Sequence, residues 1–480
     1  MTKGIQLFDY QTDMVKRVQE AFRHHDSVMV QMPTGTGKTH VLAAIVGLFQ
    51  KKNVWVVAHR RELVSQIKDT LARFFPTLDS EKIQVSSIQW LSRHYREIKE
   101  KPSLIVIDES HHALAETYAE VMNAYPKAKK LGLTATPYRM NGKGFTDLFD
   151  MLLCSWNMER FIAEGRLSLY DYYSIKPDSA AQLLIDSLQK RGADGDYQQK
   201  ELNEVMDVKP SLERLCLTIK EYVPGKKGIV YAISIQHAEH IAEYYRDNGI
   251  KAVAISSKTP LAERQELIER FKFSSLSSSL NSTSDDIEVL VSVDLFSEGF
   301  DCPDVEFIQL ARPTLSLAKY MQMVGRGLRV AEGKEYCVIL DNVGLYKRFG
   351  LPSVDRDWQS MFEGRTSLED ILQEACMQVN SHNCRMDVLM DGDEEMMKII
   401  NHERQQQMIM DTYGYQIVED DKGLKGIKDK DGKMILECQY KKIEVTNDGF
   451  AYCYIRKKIG RKEWIDLRNR LWFANKPQSV

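Results

Sequence analysis

The chain has 480 residues, 43% hydrophobic and 28% charged, with a net charge of −3. These are globular proportions, which exclude wholesale disorder and a collagen-like repeat, and the length suggests three domains, or two and an appendage. No run of about 18 apolar residues offers a membrane span, and Met1 to Gln11 lacks the basic-then-apolar order of a secretory leader. Eight scattered cysteines without a CxxC pair fit a reducing, cytoplasmic setting.

The apolar runs Ser27–Gln31, Val54–Ala58, Ile83–Ser87, Leu104–Asp108 and Leu131–Ala135 alternate with helical stretches, among them Lys38–Gln50 and one running through Leu71. Short apolar strands alternating with helices predict a parallel sheet covered on both faces. The pattern restarts after Pro210. Gly228–Ala232, Lys251–Ser256, Val289–Asp294, Phe307–Ala311 and Tyr336–Asp341 read as strands, and Gln236–Tyr245 as a helix. Between the two units, Pro177–Lys209 is polar and reads as an insertion or linker. Ser274–Asp286, SSLSSSLNSTSDD, is low-complexity and reads as a surface loop.

Trp358–Asp411 is helical in character and holds eight of the 20 methionines, which plain core packing explains. After Tyr413 the chain turns to short β-prone runs with Gly turns. Gly426–Gly432 finds a weak echo at Trp464–Arg470, as two hairpin-like units would give. Charge is concentrated here: Lys422–Val480 holds fifteen basic and seven acidic residues, which leaves residues 1–421 at −11.

The chemistry centres on Pro33-Thr34-Gly35-Thr36-Gly37-Lys38-Thr39, between a strand and a helix. Gly35 and Gly37 let the backbone approach a phosphate, and the helix N-terminus points its amides at the anion. Lys38 can reach β- and γ-phosphates, and Thr39 can ligate Mg²⁺. The strict GxxxxGK spacing fails, because Met32 stands where its first Gly would be. Asp108 and Glu109 end the run LIVID. They either cap the next helix or serve phosphoryl transfer, Asp108 holding Mg²⁺ through its waters and Glu109 orienting the attacking water. Beside a phosphate loop, the second reading is preferred.

These residues resemble the superfamily 2 helicases of the DEAD/DEAH-box group, nearer the DExH side because the chain reads DESH. The likeness runs from about Leu7 to Asn342 with the motifs in order. It implies that Gln11, in Phe8-Asp-Tyr-Gln11, reads the adenine edge. His59, Arg60, Arg61 and Glu62, within Ala58–Gln66, and the segment Ser86–Leu91 would face the nucleic-acid backbone. Thr134 and Thr136 would couple hydrolysis to strand movement. Ser292–Asp301 resembles motif V, where Gly299 and Asp301 would face nucleotide. Gln322–Arg329 resembles motif VI, where Gln322 completes the site and Arg326 and Arg329 act as arginine fingers. An Arg delivered by the other domain stabilises the transition state only when the cleft closes, so closure would couple ATP to motion.

The likeness implies an α/β fold: two tandem RecA-like parallel-sheet domains, residues 1–165 and 166–350, the second with insertions near 177–209 and 274–286. A helical region, 351–411, and a basic β-rich module, 412–480, would follow. The implied activity is ATP hydrolysis with Mg²⁺, driving helicase or translocase movement on nucleic acid, DNA favoured over RNA. The segments LTATPYR and GFDCPDV look most like DNA-directed members, the RadD-like repair proteins and restriction motors. A remodeller of protein–DNA complexes without strand separation and an ATP-gated nucleic-acid sensor are the alternatives. Cys376, His382, Cys384 and His402 lack the paired spacing zinc prefers and read as unliganded. The last module resembles WG-type repeats. Its basic residues and Tyr440, Tyr452, Tyr454, Trp464 and Trp472 would grip and stack on nucleic acid, or form its own core, or dock a protein.

Overall fold

A computed structural model describes residues 6–49, 51–59, 61–75, 82–112, 116–273, 286–293, 301–367, 370–371, 373, 396–401, 405, 414–429, 432–445, 450–455, 462–466 and 471–473. Three sheets organise them. The first comprises β1 (Ser27–Gln31), β2 (Val54–Ala58), β3 (Ile83–Ser87), β4 (Leu104–Ile107), β5 (Lys129–Thr134) and β6 (Met151–Cys154). Its order is β3-β2-β4-β5-β1-β6, every pair parallel. β1, β2 and β4 are buried along their whole length. Helices cover both faces, so these strands carry Val and Ile without alternation.

The second sheet comprises β7 (Leu169–Ile175), β8 (Gly228–Tyr231), β9 (Ala252–Ile255), β10 (Val289–Ser292), β11 (Phe307–Leu310), β12 (Tyr336–Asp341) and β13 (Met396–Ile400), in the order β13-β7-β12-β11-β8-β10-β9. All pairs are parallel except β13 with β7, which is antiparallel. β13 departs from the helical reading of 351–411. Its methionine-rich sequence favours helix locally, but the open edge of β7 offers a ladder of backbone hydrogen bonds, and Met396, Ile399 and Ile400 become buried there. The helix Trp358–Phe362 returns to the first domain: Phe145 N–H donates to the Phe362 carbonyl at 2.7 Å, and Phe362 joins that domain's core.

Residues 177–209 are folded. The helices Ala180–Asp186 and Gln199–Met206 flank a tight turn closed by an Arg191–Tyr197 bridge. The low-complexity stretch 274–286 falls almost entirely outside the described residues, only Asp286 being within them.

The third sheet is an antiparallel meander of β14 (Tyr415–Glu419), β15 (Lys425–Asp429), β16 (Met434–Val445), β17 (Phe450–Ile455), β18 (Lys462–Asp466) and β19 (Leu471–Phe473). Asp420 and Asp429 close its first two turns by accepting backbone N–H groups, with Gly423 and Gly432 at positive φ. No helix among the described residues is long and apolar enough to cross a membrane.

Candidate active site

The phosphate loop leaves β1 and enters the helix Lys38–Leu48. Gly35 and Gly37 have φ of +89° and +81°, a region L side chains rarely adopt. A Cβ on Gly37 would also strike the Gln11 amide, and one on Gly35 would lie 3.2 Å from Leu167 Cδ2. The loop is held from behind: Thr36 Oγ1 donates to Pro33 O at 2.8 Å, while Tyr10 Oη and Gln11 Nε2 donate to Thr36 O at 3.0 and 3.1 Å. Gln11 Oε1 accepts Phe8 N–H at 3.0 Å. Gln11 therefore grips both the loop and the start of its own helix. Beside it, the Arg166 guanidinium lies 4.2 Å from the centre of the exposed Phe8 ring. This pair can take up a planar base, and Arg166 carries no motif that would betray it in sequence.

Asp108 and Glu109 follow β4, at the carboxyl end of the sheet where α/β folds bind ligands. Both are buried. Glu109 has φ +48°, the one non-glycine residue at positive φ among those described, a strain that clusters at functional sites. Lys38 Nζ stands 3.5 Å from Glu109 Oε1, bridging phosphate loop and carboxylate pair. Glu109 Oε2, Thr34 Oγ1 and Thr136 Oγ1 are buried without hydrogen-bond partners among the described residues. Orphaned polar atoms on one cleft are costly, and a bound polar ligand would relieve them. Thr39 sits in the helix's first turn.

The second sheet brings the helix Leu317–Gly327 against this loop. A Cβ on Gly325 would lie 2.5 Å from Thr34 Cβ, so only glycine allows the two backbones this close. Gln322 Nε2 lies 3.5 Å from His111 Nε2, and His111 Nδ1 lies 3.0 Å from Thr134 Oγ1. Thr134 Oγ1 also accepts Thr136 N–H at 3.1 Å. An amide donor from Gln322 requires the His111 tautomer protonated on Nδ1, which then donates to Thr134. One polar chain thus crosses the cleft. His111 lies inside the DESH motif, yet the sequence reading assigned it no role.

Arg326 is buried, and Arg329 pairs with Asp301. Burial, with Arg326 close by, pushes the Arg329 guanidinium down to about 10, against the pull of Asp301. Arg329 Cγ would lie 3.4 Å from a Cβ on Gly35, so the motif VI arginines border the phosphate loop. Asp301, expected to face nucleotide, is thus an arginine's partner here. Gly299 lies outside the described residues.

His59, at the end of β2, stacks on His112 with ring centres 4.2 Å apart, and His112 in turn neighbours His111 at 4.1 Å. Gln89 Nε2 donates to His59 O at 3.1 Å, tying in the helix Ile88–His94, where half-exposed Trp90 stacks on His94. Arg60 and the side chains of Arg61 and Glu62 lie outside the described residues, as do Cys376, His382, Cys384 and His402. Of the alternatives offered above for Tyr440, the core role fits: it is fully buried in the third sheet with Ile427, Leu436 and Ile443. The side chains of Tyr452, Tyr454, Trp464 and Trp472 lie outside the described residues.

Two family models match: "Type III restriction enzyme, res subunit" over residues 4–139 and "Helicase conserved C-terminal domain" over 210–331. A 51.5 kDa protein of a Lactococcus phage (isolate 7-9) is 34% identical over 339 residues, 70% of each chain. The putative ATP-dependent helicase IRC3 of Saccharomyces cerevisiae is 27% identical over 70% of this chain and 51% of its own length. The DNA 3'-5' translocase XPB2 of Sulfurisphaera tokodaii is 25% identical over 68% of this chain and 79% of its own. The fold is shared with a fragment of a putative HsdR subunit of a type I restriction enzyme from Vibrio vulnificus YJ016, TM-score 0.54, 20% identity, covering 74% of this chain and 66% of that one. The chain belongs to the superfamily 2 helicases of the DExH type, ATP-dependent helicases and translocases.

Proposed function

We propose that this protein is a DNA motor in which Mg²⁺-ATP, bound between the first two sheets, draws those domains together and moves them along the strand. The observation that carries the reading is the polar chain Gln322–His111–Thr134, which joins the second sheet to the two sides of the nucleotide site. Lys38 and the loop amides would hold the β- and γ-phosphates. Glu109, strained, with Oε1 3.5 Å from Lys38 Nζ and Oε2 3.4 Å from His111 Nδ1, would take the attacking water. Arg326 and Arg329 would meet charge developing on the γ-phosphoryl oxygens.

The residues also fit a divalent cation. Thr39 and buried Asp108 flank the loop, and a hydroxyl with one or two carboxylates completed by phosphates is the ordinary Mg²⁺ set. Held there by Thr39 and Asp108, Mg²⁺ would supply positive charge that neutralises the phosphates.

The DNA preference is supported by the relative described as a DNA translocase and by the restriction-enzyme family model. The nucleic-acid face would be the His59, Gln89 and Trp90 side of the first domain, with the half-exposed Trp90 ring available to a base. Two assays run together test the mode of action: displacement of a third strand from a triplex, and separation of a short duplex with a single-stranded tail. ATP-driven triplex displacement without duplex separation marks a translocase, and both together a helicase. Loss of both, with ATP turnover intact, would overturn the motor reading in favour of an ATP-gated sensor.

A further inference from the structure

The turn within residues 177–209 falls outside both matched family models, yet it reaches the motif VI helix. Its centre is Asp196, 2% exposed. One carboxylate oxygen accepts Leu315 N–H at 2.7 Å; the other accepts Thr314 Oγ1–H at 2.7 Å and Lys319 Nζ–H at 3.0 Å. The Thr314 hydroxyl oxygen, oriented by Asp196, accepts Ser316 N–H at 3.1 Å, and Ser316 caps the helix by accepting Lys319 N–H at 3.3 Å. Asp194 adds a second carboxylate 3.4 Å from Lys319 Nζ.

The turn is itself fixed. Gly192 N–H donates to Asp196 O at 2.8 Å, and Asp196 N–H donates to Asp194 Oδ1 at 3.1 Å. Gln199 Nε2 donates to Ile233 O at 3.1 Å, and Arg348 donates to Tyr197 Oη at 3.3 Å. Burial pushes the Asp196 carboxyl up, but Lys319 and the bonds from Leu315 and Thr314 outweigh it and hold it below the ordinary carboxylate range. A buried anion below the first turn of a helix is favourable on its own account. This one grips three successive residues at the helix entry, Thr314 and Leu315 directly and Ser316 through Thr314.

We propose that Asp196 is a positioning residue for phosphoryl transfer: it fixes the entry of the helix Leu317–Gly327 and so sets how Gln322, Arg326 and Arg329 meet the phosphate loop. The inference rests on those arginines serving the γ-phosphate. It gives the segment between the two matched regions a task in the chemistry, although it is no part of the nucleotide site. A shift of about 1 Å at such a helix is enough to cost about 100-fold in rate.

The test is steady-state ATP hydrolysis by the full chain at saturating polynucleotide, with Asp196→Ala, Thr314→Val, Arg326→Ala and the Asp196→Ala/Arg326→Ala double variant. Asp196→Ala should lower kcat by about 10- to 100-fold and leave KM for ATP within about twofold, because only the transition state feels the arginines. The double variant should lose clearly less than the product of the two single losses, because one of the groups Asp196 positions is already gone while Gln322 and Arg329 remain. A general weakening of the fold would multiply the two losses instead. If Asp196→Ala melts below the assay temperature, Thr314→Val carries the test, with a fall in kcat of roughly threefold or more expected. Unchanged kcat in a folded variant, a rise in KM alone, or multiplied losses would overturn the proposal. Full activity of Arg326→Ala would instead overturn the reading of the cleft on which it rests.

Discussion

The nucleotide cleft and the C-terminal meander handle polar groups in opposite ways. In the cleft, Lys38, Asp108, Glu109, Arg326 and Arg329 are largely withdrawn from water, and Glu109 Oε2, Thr34 Oγ1 and Thr136 Oγ1 lack hydrogen-bond partners among the described residues. Removing a charge from water costs several kcal/mol unless its partners compensate. In the meander, the described core is Tyr415, Ile427, Leu436, Tyr440 and Ile443, and Asp420 and Asp429 are satisfied within their own turns. A fold that only needs stability resembles the meander. A region that keeps buried hydroxyl and carboxylate oxygens without hydrogen bonds is arranged around something it binds.

The sharpest way to break this contrast is to empty the cleft of its charge. Lys38→Ala should reduce ATP hydrolysis to background, read as phosphate release at saturating polynucleotide. Arg329→Ala should lower kcat by about 10³-fold or more while leaving binding of a fluorescent ATP analogue nearly unchanged. Gly325→Ala places a methyl 2.5 Å from Thr34 Cβ, so the phosphate loop or the motif VI helix must shift. Its kcat should fall by about tenfold or more, again with ATP binding spared, because closure is what it obstructs.

Smaller effects sharpen the other side. Replacing the exposed Lys422 and Lys433 of the meander with Gln should leave kcat at saturating DNA unchanged. If the module grips phosphates, the slope of log affinity against log salt should fall by about one per lysine. An unchanged slope would assign those lysines to solvent.

His237 offers a pH test of the second domain. Its ring is fully buried, with Nδ1 accepting Ile233 N–H at 3.3 Å and Nε2 unpartnered among the described residues. Burial, assisted by His240 and opposed by Asp207, pushes it down to about 4. The unfolded chain, near 6.5, then binds the extra proton first. This contribution to stability is complete above about 6.5 and is lost as pH falls towards 4, by about 3 kcal/mol at most. Thermal melting from pH 7.5 to 4.5 should show that slope, and His237→Leu should flatten it.

Most strands of the first two sheets are legible because full burial leaves short Val/Ile runs, as in β2 and β4. β6 and β7 were not read, since Met151–Cys154 is short and Leu169–Ile175 places Asp and Ser among its aromatics. β13 was misread because local helix propensity cannot register the open edge of a distant strand. At the cleft, the loop and DESH announced themselves through residue types the chemistry requires. Asp196 and Arg166 did not, because an aspartate in a polar stretch and an arginine after a helix look like solvated surface until the chain folds. The closed contact of Gln11 with Thr36 was likewise invisible, since the motif gives residue types without hydrogen-bond partners.

The most direct test is the steady-state ATP hydrolysis rate of the full chain without polynucleotide and then with single-stranded DNA, double-stranded DNA or RNA, with Lys38→Ala as the blank. The expected result is strong stimulation by DNA, weaker stimulation by RNA, and none in the blank. A rate that ignores every polymer, or that survives in Lys38→Ala, would contradict a nucleic-acid motor driven from this cleft.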